Sequence, residues 1–268
     1  MKIALGQFTT DTDKAVNLAQ AEAAIREASQ NGAQLLVLPE TFMAFIPPSS
    51  ATCYADIAEP LEGPFVTRLC TAAHTAGIYL AVGIFERNPE DTVRVWNTTL
   101  LIDNHGKLLH AYRKTHLYDA FSYQESRNII QGDNAIQVVN TELGRIGLMV
   151  CYELRFPEIA RELALQGADF IIVPTAWVHG PLKEQHFQTL VCARALENTL
   201  PVVVCDQTGN IYSGRSLVCD AMGVPRNSMG IEQGIIYSDI DYEHTRTARE
   251  ALPCLEHRRA ELYTLLSK

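Results

Sequence analysis

Three residues stand where reactive chemistry is possible: Cys151, Glu40 and Lys114. Cys151 follows the apolar run Gly-Leu-Met-Val and precedes Tyr-Glu-Leu-Arg-Phe-Pro-Glu, where a helix is expected to begin. Its sulfur then sits at a strand-to-helix turn. Free backbone N–H groups and the positive helix end favour a thiolate there, and they can bind an oxyanion. Taken alone, a cysteine at a strand end is more often an inert buried thiol. Glu40 closes the run Leu-Leu-Val-Leu-Pro-Glu, at the mouth of a buried strand. Burial there suits a carboxylate to general-base work near neutral pH, although a loop-capping role fits as well. Lys114, in Tyr-Arg-Lys-Thr-His-Leu-Tyr, ends another strand, where a solvated lysine is the plain alternative. Three strand ends matter together, because open α/β folds bind ligands at the carboxyl ends of their strands.

Other chemistries lack their residues. No serine-centred GxSxG elbow is present. The eight histidines include no HExxH pair and no metal-ligand spacing. Neither GxGxxG nor GxxxxGK[ST] occurs, so no nucleotide site is signalled. No metal and no cofactor are expected.

The elements that must position these residues alternate along the chain. Strands are predicted over 2–8, 35–40, 78–86, 95–103, 107–114, 144–151, 168–175, 201–207, 215–220 and 234–240. Helices are predicted over 13–30, 64–76, 157–167 and 181–198, with Gly77 ending the second and Pro181 in the first turn of the last. Asn104-His105-Gly106 reads as a hairpin turn. The pattern is an α/β protein with mixed sheets. Without a Gly/Ser linker, residues 1–268 read as one domain, with 252–268 a polar tail that could reach a partner subunit as a dimer arm.

Composition sets outer limits. Apolar residues make up 47% and charged residues 20%, an ordinary globular balance. A net charge of −9 with no long basic run argues against nucleic acid and anionic membrane as partners. The start, MKIALGQFTT, does not read as a signal peptide, and no run of 18 apolar residues predicts a membrane span. Seven scattered cysteines without a CxxC pair point to reduced thiols in a cytoplasm.

Leu-Val-Leu-Pro-Glu40, Arg-Lys114-Thr-His-Leu and Gly-Leu-Met-Val-Cys151-Tyr-Glu-Leu-Arg-Phe-Pro-Glu together resemble the nitrilase superfamily of carbon–nitrogen hydrolases, in that family's order. The resemblance runs from Ala4-Leu-Gly-Gln-Phe to about Asp241. The segments Lys114–Arg127 and Ala176–His186 are similar to the bacterial deaminated glutathione amidase branch.

The resemblance implies a four-layer α-β-β-α sandwich and a homodimer in which helices of the Cys151 layer pack across a two-fold axis. It makes Cys151 the nucleophile, Glu40 the general base and acid, and Lys114 the oxyanion stabiliser. Glu125 matches an additional active-site glutamate. The backbone N–H of Tyr152 becomes a second oxyanion donor. It implies a small, anionic amide substrate. Arg127 is the first candidate for the substrate carboxylate, with Lys183 and His186 behind it; an ion pair with Glu125 or Asp133 would instead make Arg127 structural. Trp177 could wall the pocket or belong to the core, and the backbone at Ala176 could meet the substrate nitrogen. Arg155 reads as structural, tied to Glu158, and Arg194, Glu197 and Asn198 as framework. The function implied is a thioester-forming amidase for deaminated glutathione. An omega-amidase for 2-oxoglutaramate-type primary amides and a non-catalytic binding member of the same fold are the alternatives.

Overall fold

A computed structural model describes residues 1–48 and 50–263. The strands are β1 (Lys2–Gln7), β2 (Leu35–Val37), β3 (Tyr79–Glu86), β4 (Trp96–Ile102), β5 (Leu108–Arg113), β6 (Asp119–Ala120), β7 (Tyr123–Gln124), β8 (Val139–Thr141), β9 (Gly144–Leu148), β10 (Phe170–Thr175), β11 (Val202–Asp206), β12 (Thr208–Gly209), β13 (Tyr212–Ser213), β14 (Leu217–Cys219), β15 (Pro225–Ser228) and β16 (Gly234–Asp239). The α-helices are α1 (Lys14–Gln30), α2 (Tyr54–Ile57), α3 (Pro64–Ala76), α4 (Pro157–Leu165), α5 (Lys183–Asn198) and α6 (Tyr242–Ala251).

Two six-stranded sheets carry the architecture, in the orders β16-β1-β2-β3-β4-β5 and β15-β14-β11-β10-β9-β8. In the first, β1, β2 and β3 are parallel; in the second, β9, β10 and β11 are. Strand alternation explains the layering. In β1, Ile3 and Leu5 face the second sheet, while Ala4 faces the α1 and α3 side. Leu35 and Val37 of β2 likewise point inward, and Leu36 outward. The second sheet is backed by α4 and α5, whose Leu163, Phe187 and Val191 are buried against its outer face. The result is the expected α-β-β-α sandwich.

Most predicted ends shift by one to three residues, for local reasons. Asp13 caps α1 by accepting the Ala15 N–H, so α1 begins one residue later than expected. Gly77, at φ +65°, ends α3 in the left-handed conformation. Pro39 has no N–H, and β2 stops at Val37. Pro181 stands outside α5, because Leu182 at φ +61° breaks the helix before Lys183. Of the predicted arm over 252–268, residues 264–268 lie outside the described residues.

This topology points one end of both sheets at a common edge. Glu40 follows β2, Cys151 follows β9 and Ala176 follows β10. Since β4 runs antiparallel to β3 and to β5, the end of β5 at Lys114 and the start of β4 at Asn97 lie on that edge too.

Candidate active site

The edge opens into a cavity of about 330 Å³, lined among others by Glu40, Lys114, Glu125, Cys151, Arg127 and Ala176. Lys114 is 2% exposed and lies between two buried carboxylates. Its Nζ donates to Glu40 Oε1 at 2.9 Å and to the two oxygens of Glu125 at 3.1 and 2.8 Å. Burial by itself pulls the Lys114 ammonium down; the charges of Glu125 and Glu40 outweigh it and hold the group well above the ordinary lysine range. The cavity therefore contains a fixed cation.

Each carboxylate is held from several sides. Glu40 accepts from Lys114, from Asn97 Nδ2 at 2.7 Å and, on Oε2, from the Ala176 N–H at 2.8 Å. Its carbonyl accepts from Gln207 Nε2 at 2.8 Å. Glu125 opens a short 3-10 turn after the β6–β7 hairpin and also accepts the Tyr118 N–H at 2.6 Å.

Gly83 of β3 packs directly beneath the Glu40 backbone. A Cβ there would overlap the Thr41 nitrogen and lie 2.6 Å from the Glu40 Cα. Gly83→Ala should therefore cost about 1–3 kcal/mol in urea unfolding and lower kcat by displacing Glu40. Wild-type kcat in that variant would show that the Glu40 position is not critical.

Cys151 begins a 3-10 turn, Cys151–Arg155, that precedes the expected helix, α4. Its own φ is +46°, an uncommon conformation for a residue with a side chain. Nor is the resting sulfur a ready thiolate. Burial, and then the charge of Glu40, push the Cys151 thiol well above its ordinary value, and Lys114 only partly opposes them. The thiol must lose its proton as it reacts.

What holds that turn was not legible beforehand. The Glu153 carboxylate is fully buried and accepts the Val150 N–H at 2.8 Å from the nucleophile turn. From the β5 end it accepts the Thr115 N–H at 2.8 Å, the Thr115 hydroxyl at 2.7 Å and the Tyr112 hydroxyl at 3.0 Å. It thus ties Cys151 to Lys114 across the two sheets. Arg194 of α5 supports the same turn, donating to the Leu154 carbonyl at 3.0 Å and to Glu197 at 2.8 Å.

The predicted binding residues divide. Arg127 and Ala176 line the cavity; Trp177, Lys183 and His186 do not. Alternation past the end of β10 turns Ala176 and Val178 inward and Trp177 away. The Trp177 N–H donates to Asp206, and its indole donates to the Lys183 carbonyl at 2.9 Å. The Lys183 ammonium donates to the Tyr118 hydroxyl at 3.0 Å and lies over the Tyr118, Phe121 and Trp177 rings. Arg127 donates to Gln124 at 2.8 Å and its charge acts on Asp119; among the described residues it forms no ion pair with Glu125 or Asp133. Arg155 is not paired with Glu158; its guanidinium lies 4.9 Å from the Trp177 ring.

The family model described as carbon-nitrogen hydrolase matches residues 2–250. The chain belongs to the carbon–nitrogen hydrolase family. It is 36% identical over 259 residues to a deaminated glutathione amidase of Escherichia coli O157:H7, covering 97% of each chain. It is 33% identical over 279 residues to an omega-amidase of Mus musculus, covering 100% of this chain and 98% of that one. Among solved structures, an amidase variant from Nesterenkonia sp. AN1 superposes with a TM-score of 0.82 at 30% identity, over 98% of this chain and 95% of its own. That structure carries the acetamide moiety of fluoroacetamide added covalently at its active-site cysteine. This carbon–nitrogen hydrolase is thus an enzyme acting on non-peptide C–N bonds, and no helix among its described residues is long and apolar enough to cross a membrane.

Proposed function

We propose that Cys151, Glu40 and Lys114 hydrolyse the amide of a 2-oxo dicarboxylic acid such as deaminated glutathione, through a thioester on Cys151. The observation that carries this reading is the Glu40–Lys114 contact at 2.9 Å in the cavity that Cys151 also lines.

Glu40 takes the thiol proton as sulfur attacks the carbonyl carbon. The oxyanion is met by the Lys114 ammonium and the Tyr152 N–H, which lies in a first turn where backbone donors lack an internal acceptor. Each such donor is worth about 3 kcal/mol in the transition state. Glu40 then gives its proton to the nitrogen as the C–N bond breaks. Water, deprotonated by the same carboxylate, opens the thioester and releases the acid. Glu125 orients Lys114 and keeps it charged. No imidazole takes part.

Specificity rests on Arg127. It is the cation other than Lys114 among the cavity-lining residues, and it suits a carboxylate distant from the scissile bond. The names of the relatives support keto-acid amides, and the mouse relative keeps primary amides such as 2-oxoglutaramate as the second reading. The protein is further read as a cytoplasmic homodimer. Seven unpaired cysteines suit a reducing compartment, and Leu165 and Leu196 are exposed on α4 and α5.

The test compares kcat/KM for deaminated glutathione, 2-oxoglutaramate, a neutral short amide and a simple nitrile. The keto-acid amides should lead. In Arg127→Ala their KM should rise about tenfold, while the neutral amide is unaffected. A nitrile preferred over every amide would sink the reading.

A further inference from the structure

Asn97 is a polar side chain within β4 and is 2% exposed. Burying an amide costs about 1–3 kcal/mol unless it is hydrogen-bonded, so its bonds are informative. Its Nδ2 donates to Glu40 Oε1 at 2.7 Å and to Glu125 Oε1 at 3.2 Å. Its backbone carbonyl accepts the Lys114 N–H at 2.9 Å. One residue therefore contacts both carboxylates through its side chain and the Lys114 backbone through its carbonyl.

Lys114 cannot do this work alone. Its contacts go to one oxygen of Glu40 and to both oxygens of Glu125. Two neighbouring carboxylates and one ammonium leave an excess negative charge, and like charges push apart unless further donors lie between them. The Asn97 amide supplies that bridge. Its orientation is fixed by chemistry: turned over, Oδ1 would face two carboxylate oxygens. Oδ1 itself is buried with no partner among the described residues, a cost accepted to keep Nδ2 in place.

We infer that Asn97 is a positioning residue that holds the Glu40 carboxylate beside Glu125, with Oε2 left to face the thiol. Three donors from three parts of the chain then fix Glu40: Lys114, Asn97 and the Ala176 N–H. Two of them share Oε1, so Oε2 keeps a lone pair for the incoming proton. The inference rests on Glu40 being the base proposed above.

The test uses the full-length protein with Asn97→Asp, which keeps the shape but removes the donor, and Asn97→Ala. Each is followed by kcat, KM, Tm and the rate constant for alkylation of Cys151 by iodoacetamide. Rate constant and KM do not depend on the fraction of folded protein. The expected result is a kcat lower by about 100-fold with KM within about threefold, and alkylation slower by about tenfold in both variants. Alkylation and kcat per alkylatable site matching wild type, with only Tm reduced, would make Asn97 a packing residue and overturn the inference. If the wild-type protein cleaves no amide but alkylation still slows in the variants, the proposed function fails and the positioning role stands.

Discussion

Replacing Cys151 with alanine should abolish amide turnover and leave the fold intact. The sulfur has no substitute in the cavity: none of the other six cysteines lines it. Loss of a covalent nucleophile typically costs about 10⁴-fold or more in kcat. The backbone change is slight, because alanine and cysteine both carry a Cβ into the +46° conformation of residue 151. Circular dichroism and Tm should match wild type, while steady-state release of the amine falls to background. A variant that retains full turnover would place the nucleophile elsewhere.

Lys114→Met should damage stability and activity together. The ammonium lies between Glu40 at 3% exposure and Glu125 at 7%, and methionine fills similar space without charge. Two buried carboxylates then lose their cation. Removing one member of a buried ion pair costs about 3–5 kcal/mol, which chemical denaturation would read directly. Activity loses in addition the charged oxyanion donor, about 3 kcal/mol or roughly a hundredfold in kcat. The sign of the pH dependence follows from Lys114 being raised in the folded state. Its contribution is fully present below the ordinary lysine value of 10.5 and is lost only as pH rises through the higher folded value. The stability gap between wild type and variant should hold through pH 7–10 and close at more alkaline pH. A gap that is absent at pH 8 would mean the ammonium is not buried as described.

The three candidates could be placed because each ends a predicted strand, Leu-Val-Leu-Pro-Glu40, Tyr-Arg-Lys114 and Leu-Met-Val-Cys151, and the family resemblance supplied their roles. A strand that stops at a reactive side chain carries its position in the pattern. The wall of the cavity was less legible. Trp177 and Ala176 are neighbours in sequence, and one residue of alternation decides which faces the substrate. Lys183 and His186 were drawn in by charge, yet a break at Leu182 starts α5 later and turns Lys183 into an aromatic cluster. Asn97 and Glu153 were missed for a different reason. Each is a polar residue within an apolar or turn segment, Val-Trp-Asn-Thr-Thr-Leu and Cys-Tyr-Glu-Leu, and its partners come from distant strands. The available signal was their burial cost, which marks a polar residue as satisfied without naming its partner. The thiolate expectation weighed the turn's N–H groups and left out desolvation and the charge of Glu40, which push the thiol up.

The most direct test is intact-mass spectrometry of the wild-type enzyme, quenched in acid during turnover of the best keto-acid amide. Acid protonates Glu40 and stops thioester hydrolysis, so the acyl group on the enzyme is retained. The expected result is a mass increase equal to the acyl half of the substrate, mapped by digestion to the peptide carrying Cys151 and absent in Cys151→Ala. An acyl group mapped to any other residue, or turnover by the wild-type enzyme with no acyl-enzyme in the quenched samples, would contradict the thioester route.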